Sequence, residues 1–326
     1  IFSRNTLLAL NAVKQVVEKD YQSGKSNNDM GLIMATTVGG MDLNEKYYKS
    51  LLQEDTFKAY IPAFDSADFT EKVACFFGIR HHITTISTAC SSSANAIMYA
   101  ARLIQNRRID RVIAGGSDAL TRFALNGFYA LEILSPTGCK PFDQNRNGLT
   151  IGEGAAVLLL ESEDIADSKK IICEVKGFAN VNEAFHQTAS SSDGYGASMA
   201  MQKALSFANI QPTDIQYINA HGTGTEINDL SEGRAIEKVF APDIPPVSST
   251  KAFTGHTLGA AGAVEAVYAA LAIREQMILP SLNCQYPMQE LSFKPQTEIK
   301  SAEIKNVISN SFGFGGNNTT LVFSKV

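Results

Sequence analysis

Hydrophobic and polar positions along the chain fall into short blocks of two kinds. Compact apolar runs at "MGLIMATT" (30–37), "HHITTIST" (81–88), "RVIAGGS" (111–117) and "GAAVLLLES" (154–162) have the length and branched residues of buried strands. Around them, "RNTLLALNAVKQVVEKD" (4–20) and "SANAIMYAARLIQN" (93–106) repeat apolar residues at helical spacing, which predicts amphipathic helices. The second half continues the scheme. Strands are predicted at "KIICEVKGFANV" (170–181) and "IQYINA" (215–220), and helices at "ASMAMQKALSFANI" (197–210) and "DLSEGRAIEKVF" (229–240). Such alternation predicts an α/β protein layered around buried, largely parallel strands.

The two halves echo each other. "TISTACSSSANAIMYAARLI" (85–104) and "VSSTKAFTGHTLGAAGAVEAVYAALAI" (247–273) share a strand, a turn of small polar residues and an alanine-rich helix. "GLTIGEGAAVLLLES" and "NSFGFGGNNTTLVFSKV" share a glycine-rich turn and a closing strand. Cys90 and Gly152 are 62 positions apart, and His256 and Gly315 are 59 apart. This near-equal spacing predicts an internal duplication, with halves at 1–165 and 166–326 meeting in the charged segment "ESEDIADSKKI" (161–171). No long Gly/Ser or Pro linker separates them, so the halves are expected to share an interface.

Composition narrows the classes. A formal charge of −5 argues against a nucleic-acid binder, and an acidic partner would need a local basic patch. Five cysteines, an odd number without CxxC pairing, fit a reducing compartment, and cytoplasmic placement is expected. The longest apolar helical stretch, "AAGAVEAVYAALAI", carries Glu265 and is short for a bilayer, so no membrane association is expected.

Four stretches carry candidate chemistry. Cys90 in "STAC" sits at the predicted first turn of a helix, where free N–H groups and the helix dipole favour a thiolate. Buried packing is the competing reading for such a cysteine. His221, followed by Gly222-Thr223-Gly224-Thr225, lies just past a strand end, where α/β proteins contact ligands; a structural histidine in a tight turn is the alternative. Lys251 and His256 share one turn before a small-residue helix, and Glu265 within that helix is the obvious partner of Lys251 if both are buried. "NSFGFGGNN" offers a glycine-rich turn suited to a gate. Neither close Cys/His pairs for zinc nor a GxSxG elbow for a serine hydrolase is present.

Together "TACSSS", "NAHGTGT", "STKAFTGHTLGAAGAVEA" and "NSFGFGG", with "VIAGGSDA", "KPFDQNRNGLTIGEGAAVLLLE" and "FHQT", resemble the β-ketoacyl-acyl-carrier-protein synthases in order and spacing over almost the whole chain. The resemblance implies the thiolase fold, a five-layered αβαβα sandwich of two duplicated halves. The family's first strand has no counterpart in this sequence, so that strand is expected to be missing. A cysteine with two histidines points to an elongating synthase. True thiolases use a second cysteine near the C-terminus, and Cys284 lies in no matching motif.

Residue by residue, the resemblance implies Cys90 as nucleophile, His221 and His256 as the catalytic pair, and Lys251 supporting them through Glu265. Cys90 and Phe314 would supply the oxyanion site, with Phe314 and Gly315 as the gate. Asp229 and Glu232 would be partners of His221. Thr223, Thr225, Phe312, Thr188 and Val38 would contact substrate, and Lys140 and Arg4 would dock an acidic acyl carrier protein. The implied reaction joins an acyl group to malonyl carrier protein with loss of CO₂ in fatty-acid elongation, in a homodimer, with no cofactor or metal. The alternatives are a ketosynthase of an aryl-polyene or polyketide pathway and a non-catalytic partner resembling a chain-length factor.

Overall fold

The computed structural model of the protein describes residues 1–22, 29–51, 55–167 and 171–326. Residues 168–170, part of the expected boundary and the start of one predicted strand, lie outside them. A first sheet contains β1 (Gly31–Ala35), β2 (His81–Ile86), β3 (Arg111–Asp118) and β4 (Gly154–Glu161), in the order β2-β1-β3-β4. The second sheet uses β5 (Glu174–Asn182), β6 (Tyr217–Asn219) and β7 (Val247–Ser248). After a separate small pair, β8 (Met277–Ile278) and β9 (Lys300–Ser301), it is completed by β10 (Asn306–Gly313) and β11 (Asn317–Ser324). Its order is β5-β11-β10-β6-β7.

Both sheets are mixed rather than largely parallel. β1 and β6 run parallel to both their neighbours, whereas β4 is antiparallel to β3, and β11 is antiparallel to β10 and β5. The short Phe314–Gly316 turn closes β10 and β11 into a hairpin, which only antiparallel strands permit.

The helices are α1 (Arg4–Gln22), α2 (Met41–Leu51), α3 (Asp68–Phe77), α4 (Ser92–Gln105), α5 (Arg122–Ala130), α6 (Tyr195–Ala208), α7 (Glu226–Phe240), α8 (Lys251–Thr254) and α9 (Ala261–Glu275). The sequence reading missed α2, α3 and α5. Apolar residues of α1 and α3 cover one face of the first sheet through Ala9, Val13, Phe69 and Val73. α4 and α9 lie between the sheets, where Ile97 and Ala266 share one core with Val112 and Val307. α6 and α7 cover the far face of the second sheet through Met201, Leu205 and Ile236. The result is the expected αβαβα stack. Its middle layer is alanine-rich because α4 and α9 are buried against each other as well as against both sheets, and small side chains let them approach closely. Among the described residues no helix is long and apolar enough to cross a membrane.

The duplication is visible in register. β3 and β4 pair from Arg111↔Glu161 to Asp118↔Gly154, and β10 and β11 pair from Asn306↔Ser324 to Gly313↔Asn317. β1 meets β3 at Gly31↔Val112, and β6 meets β10 at Tyr217↔Val307, the matching position. Asp118 and Gly313 are therefore equivalent strand ends. α4 and α9 each begin three residues after a non-glycine residue with φ of 53°, Ala89 and Leu258 respectively, which makes Cys90 and Gly259 equivalent. Among the described residues no strand lies on the outer edge of β4, the place that β5 takes beside β11.

Candidate active site

Cys90 lies in the tight turn between β2 and α4, only 6% exposed. Small hydroxyl residues hold this turn. The Thr88 amide donates to Ser92 Oγ at 2.8 Å, Ser91 Oγ donates to the Thr88 carbonyl at 2.8 Å, and Asn95 Nδ2 donates to Thr88 Oγ1 at 2.9 Å. The helix start alone does not yield a thiolate. Burial pushes the Cys90 thiol up to about 11, although the Lys251 charge and the Phe314 N–H bonded to the sulfur pull it down. Desolvation outweighs these two pulls, so the thiol stands above its usual value where a lowering was expected.

His221 follows β6 and is gripped through its backbone. Its amide donates to Glu232 Oε1 at 2.9 Å, and the Gly222 amide donates to Oε2 at 2.8 Å. The buried Lys251 ammonium donates to the His221 carbonyl at 2.6 Å, lies 3.2 Å from His221 Nδ1, and is ion-paired with the buried Glu265. An ammonium has no lone pair, so Nδ1 accepts and the ring proton sits on Nε2. His256 reaches the same state by another route, because the Leu258 amide donates to its Nδ1 at 3.3 Å. Burial first, and the Lys251 charge second, hold both imidazoles well below the usual histidine range. Both are neutral Nε2–H donors, with ring centroids 5.3 Å apart and planes at 84°.

The backbone of His256 is fixed by the first half of the chain. Its amide donates to the Thr150 carbonyl at 2.7 Å, and the Gly152 amide donates to the His256 carbonyl at 3.0 Å. This short bridge runs from Thr150 into the "IGEGAA" turn, and no local pattern announces it.

A cavity of about 290 Å³ joins these groups. Cys90, His221 and His256 line it together with the expected Thr188, Thr223, Thr225, Phe312, Phe314 and Gly315. Thr223 and Thr225 share a hydroxyl contact of 2.9 Å, and Thr188 is exposed at the rim. Phe314 stacks on Phe128 with centroids 5.8 Å apart, and the Gly315 amide donates to the Gln187 carbonyl at 2.7 Å, so the Phe314–Gly315 turn rests on two other segments. Phe128, Ile133, Leu149 and Ile227 complete the apolar wall. Phe128 comes from α5, Ile133 from its exit, Leu149 from the loop preceding β4 and Ile227 from the first turn of α7, and none of them was among the expected site residues.

Four further expected residues lie outside this cavity wall. Asp229 bonds the amides of Phe142 at 2.8 Å and Gly224 at 3.1 Å, and none of its hydrogen bonds reaches His221. It ties the threonine turn to the 139–142 loop. Val38 is not in the cavity wall; its amide faces Asp118 Oδ1 at 3.3 Å in the turn after β1. Arg4 is ion-paired with Glu153, which occupies the guanidinium expected to meet a carrier protein. Lys140 is half-buried with its backbone against Gly224 of the threonine turn. Among the described residues no cluster of three His, Cys, Asp or Glu side chains is arranged to hold a metal.

The chain matches "Beta-ketoacyl synthase, N-terminal domain" over residues 2–166 and "Beta-ketoacyl synthase, C-terminal domain" over residues 172–285. It is 36% identical to a 3-oxoacyl-[acyl-carrier-protein] synthase 2 of Staphylococcus aureus, covering 99% of this chain and 82% of that protein. A ketosynthase of Xenorhabdus doucetiae, solved in complex with its chain length factor, superposes with a TM-score of 0.89 at 35% identity, covering 99% of this chain and 82% of that one. A type II polyketide ketosynthase solved with its acyl-carrier protein gives a TM-score of 0.89 at 30% identity, covering 100% and 86%. With its duplicated thiolase fold, the chain belongs to the β-ketoacyl synthase family.

Proposed function

We propose that the chain extends an acyl group by two carbons in fatty-acid elongation, using malonyl carrier protein and releasing CO₂. The observation that carries this reading is the pair of neutral Nε2–H imidazoles in the same cavity as Cys90. In the first step the Cys90 sulfur bonds to the acyl carbon of a pantetheine thioester. The carbon–sulfur bond to pantetheine breaks, and the thiol proton ends on the departing pantetheine sulfur. The acyl oxygen is stabilised by the N–H groups of Cys90 and Phe314.

In the second step the malonyl carboxylate leaves as CO₂. The electron pair of the broken carbon–carbon bond passes to the thioester oxygen, which accepts from His221 Nε2–H and His256 Nε2–H. Neutral donors suit this task, since they stabilise the enolate without protonating it. The enolate carbon attacks the acyl-Cys90 carbonyl and expels the Cys90 thiolate, which takes up one proton from solvent because burial favours its thiol form. The product is a 3-oxoacyl carrier protein.

Lys251 and Glu265 are read as the buried pair that fixes the His221 ring, Phe314 and Gly315 as the gate, and Lys140 as a docking cation. A homodimer acting in the cytoplasm without cofactor completes the reading. A second reading, a ketosynthase of specialised metabolism, draws on the Xenorhabdus protein, whose 35% identity nearly equals the 36% of the fatty-acid relative. Intact mass spectrometry after mixing with acyl carrier proteins, wild type beside Cys90→Ala, tests both. Adducts on wild type alone, with saturated chains and extension by malonyl carrier protein without any partner chain, support elongation. Activity only on polyunsaturated or polyketide chains, or only with an added chain-length factor, supports the second reading. Absence of any adduct on the folded protein overturns both.

A further inference from the structure

The duplicated halves use one equivalent position for two opposite purposes. At the end of β10 stands Gly313, packed on the Cys90 amide with no side chain to cover it. At the matching end of β3 stands Asp118, fully buried, and its Oδ2 accepts the amide of Gly259, the residue equivalent to Cys90, at 2.7 Å. An acyl oxyanion at Cys90 and the carboxylate at Gly259 thus occupy corresponding places on corresponding amides.

The rest of the Asp118 carboxylate is held by the turn after β1. Thr37 donates to it through its amide at 3.0 Å and its hydroxyl at 2.7 Å, Thr36 Oγ1 at 2.5 Å, and Val38 through its amide at 3.3 Å. Asp118 therefore clasps the first half of the molecule to the turn Leu258–Ala260 that precedes α9. The fit leaves no slack, since a Cβ on Gly259 would stand 2.7 Å from Asp118 Oδ2. Within that turn Leu258 is held at φ 53°, a conformation that a leucine adopts only when its surroundings enforce it. The amide of this same Leu258 donates to His256 Nδ1.

We propose that Asp118 is a positioning residue for His256. By anchoring Gly259 it holds Leu258 in the left-handed region, and so keeps the His256 ring in the Nε2–H form aimed into the cavity. The inference rests on the condensation reading for its kinetic consequence but not for its structural one. It also accounts for Asp118 and Val38 together: the turn read from sequence as a substrate wall is the far jaw of this clasp.

The test is Asp118→Asn, which keeps shape and places an N–H where the carboxylate accepts donors. Two half-reactions and one spectroscopic signal are read on the folded dialysed protein. Decarboxylation of malonyl carrier protein is expected to fall by about 10–100-fold, the scale of an ångström-sized misplacement of a catalytic group. Acylation of Cys90 is expected to stay within about threefold of wild type, since Asp118 bonds neither the Cys90 nor the Phe314 amide. In ¹⁵N-histidine spectra, wild-type His256 should show a single Nε2–H form and the variant a mixture or the other tautomer. Should Asp118→Asn not fold, Thr37→Ala removes one donor to the same Oδ2 and is expected to shift decarboxylation and the His256 signal in the same direction by less, with acylation again held. Equal losses in both half-reactions with an unchanged His256 signal would overturn the proposal, as would unchanged decarboxylation. If wild type performs neither half-reaction, the condensation reading fails, and the tautomer spectra still decide the role of Asp118.

Discussion

Gly313→Ala is the sharpest perturbation the geometry offers at Cys90, the proposed nucleophile. Gly313 is not among the residues with positive φ, so its backbone tolerates alanine, and what opposes the change is contact. A Cβ there would stand 2.8 Å from the Thr88 carbonyl oxygen, 3.1 Å from the Cys90 nitrogen and 3.2 Å from the Ser91 nitrogen. Each is a backbone atom of the turn that carries the nucleophile, so no flexible side chain can yield. Restoring ordinary contact moves the turn by roughly half an ångström, against a working window of about 2.7–3.1 Å for oxyanion donors. Loss of one such donor costs about 10²–10³ in rate, or roughly 2.7–4 kcal/mol. The overpacking itself costs about 1–3 kcal/mol of stability, which a domain of this size can absorb.

The assay is single-turnover acylation from acyl carrier protein, followed by intact mass at several time points. Melting temperature and alkylation of Cys90 by a small neutral reagent serve as controls for folding and access. A fall of about 10²–10³ in acylation with alkylation retained is expected. Acylation within about threefold of wild type in the folded variant would refute the placement of the acyl oxygen against the Cys90 amide.

Three further outcomes follow from the same geometry. With the Cys90 thiol pushed up to about 11, only ~10⁻⁴ of it is ionised at pH 7, so alkylation should rise about tenfold per pH unit from pH 7 to 10; a plateau below pH 9 would contradict the buried environment. Glu265→Gln strands the buried Lys251 charge and should cost about 3–5 kcal/mol in denaturant unfolding, while Lys251→Met with Glu265→Leu together should cost less than either change alone; additive losses would show that the two do not act as a pair. Lys140→Glu should raise KM for acyl carrier donors by roughly 3–10-fold, about the worth of one interfacial charge pair, whereas Arg4→Glu, whose guanidinium is already held by Glu153, should leave KM unchanged; the opposite ranking in steady-state kinetics would reverse the docking assignment.

Much of this site was legible because its parts are local in sequence. The turn around Cys90, the strand end at His221, the Lys251–His256 turn and the Gly-Phe-Gly-Gly hairpin each carry small or glycine residues that a buried α/β core would otherwise not choose. Their echo between halves predicted the duplication and, with the apolar periodicities, the layered fold. The helices α2, α3 and α5 went unread although their apolar residues recur at helical spacing as clearly as those of α1. With α5 went Phe128, on which Phe314 stacks.

What the sequence could not determine is every quantity set by contacts between distant segments. It placed Cys90 at a helix start, but only the tertiary structure buries the thiol deeply enough for desolvation to push it up. It offered Asp229 and Glu232 as equivalent partners of His221, and the fold gave Glu232 the His221 amide and Asp229 the neighbouring turn. It offered Arg4 with Lys140 as a docking cation, and the fold pairs Arg4 with a carboxylate 149 positions away. Chemical identity follows from short-range pattern, because a turn or helix start is built by its own residues. Protonation, tautomer and orientation follow from burial and from hydrogen bonds across the two halves, which exist only once the chain has folded.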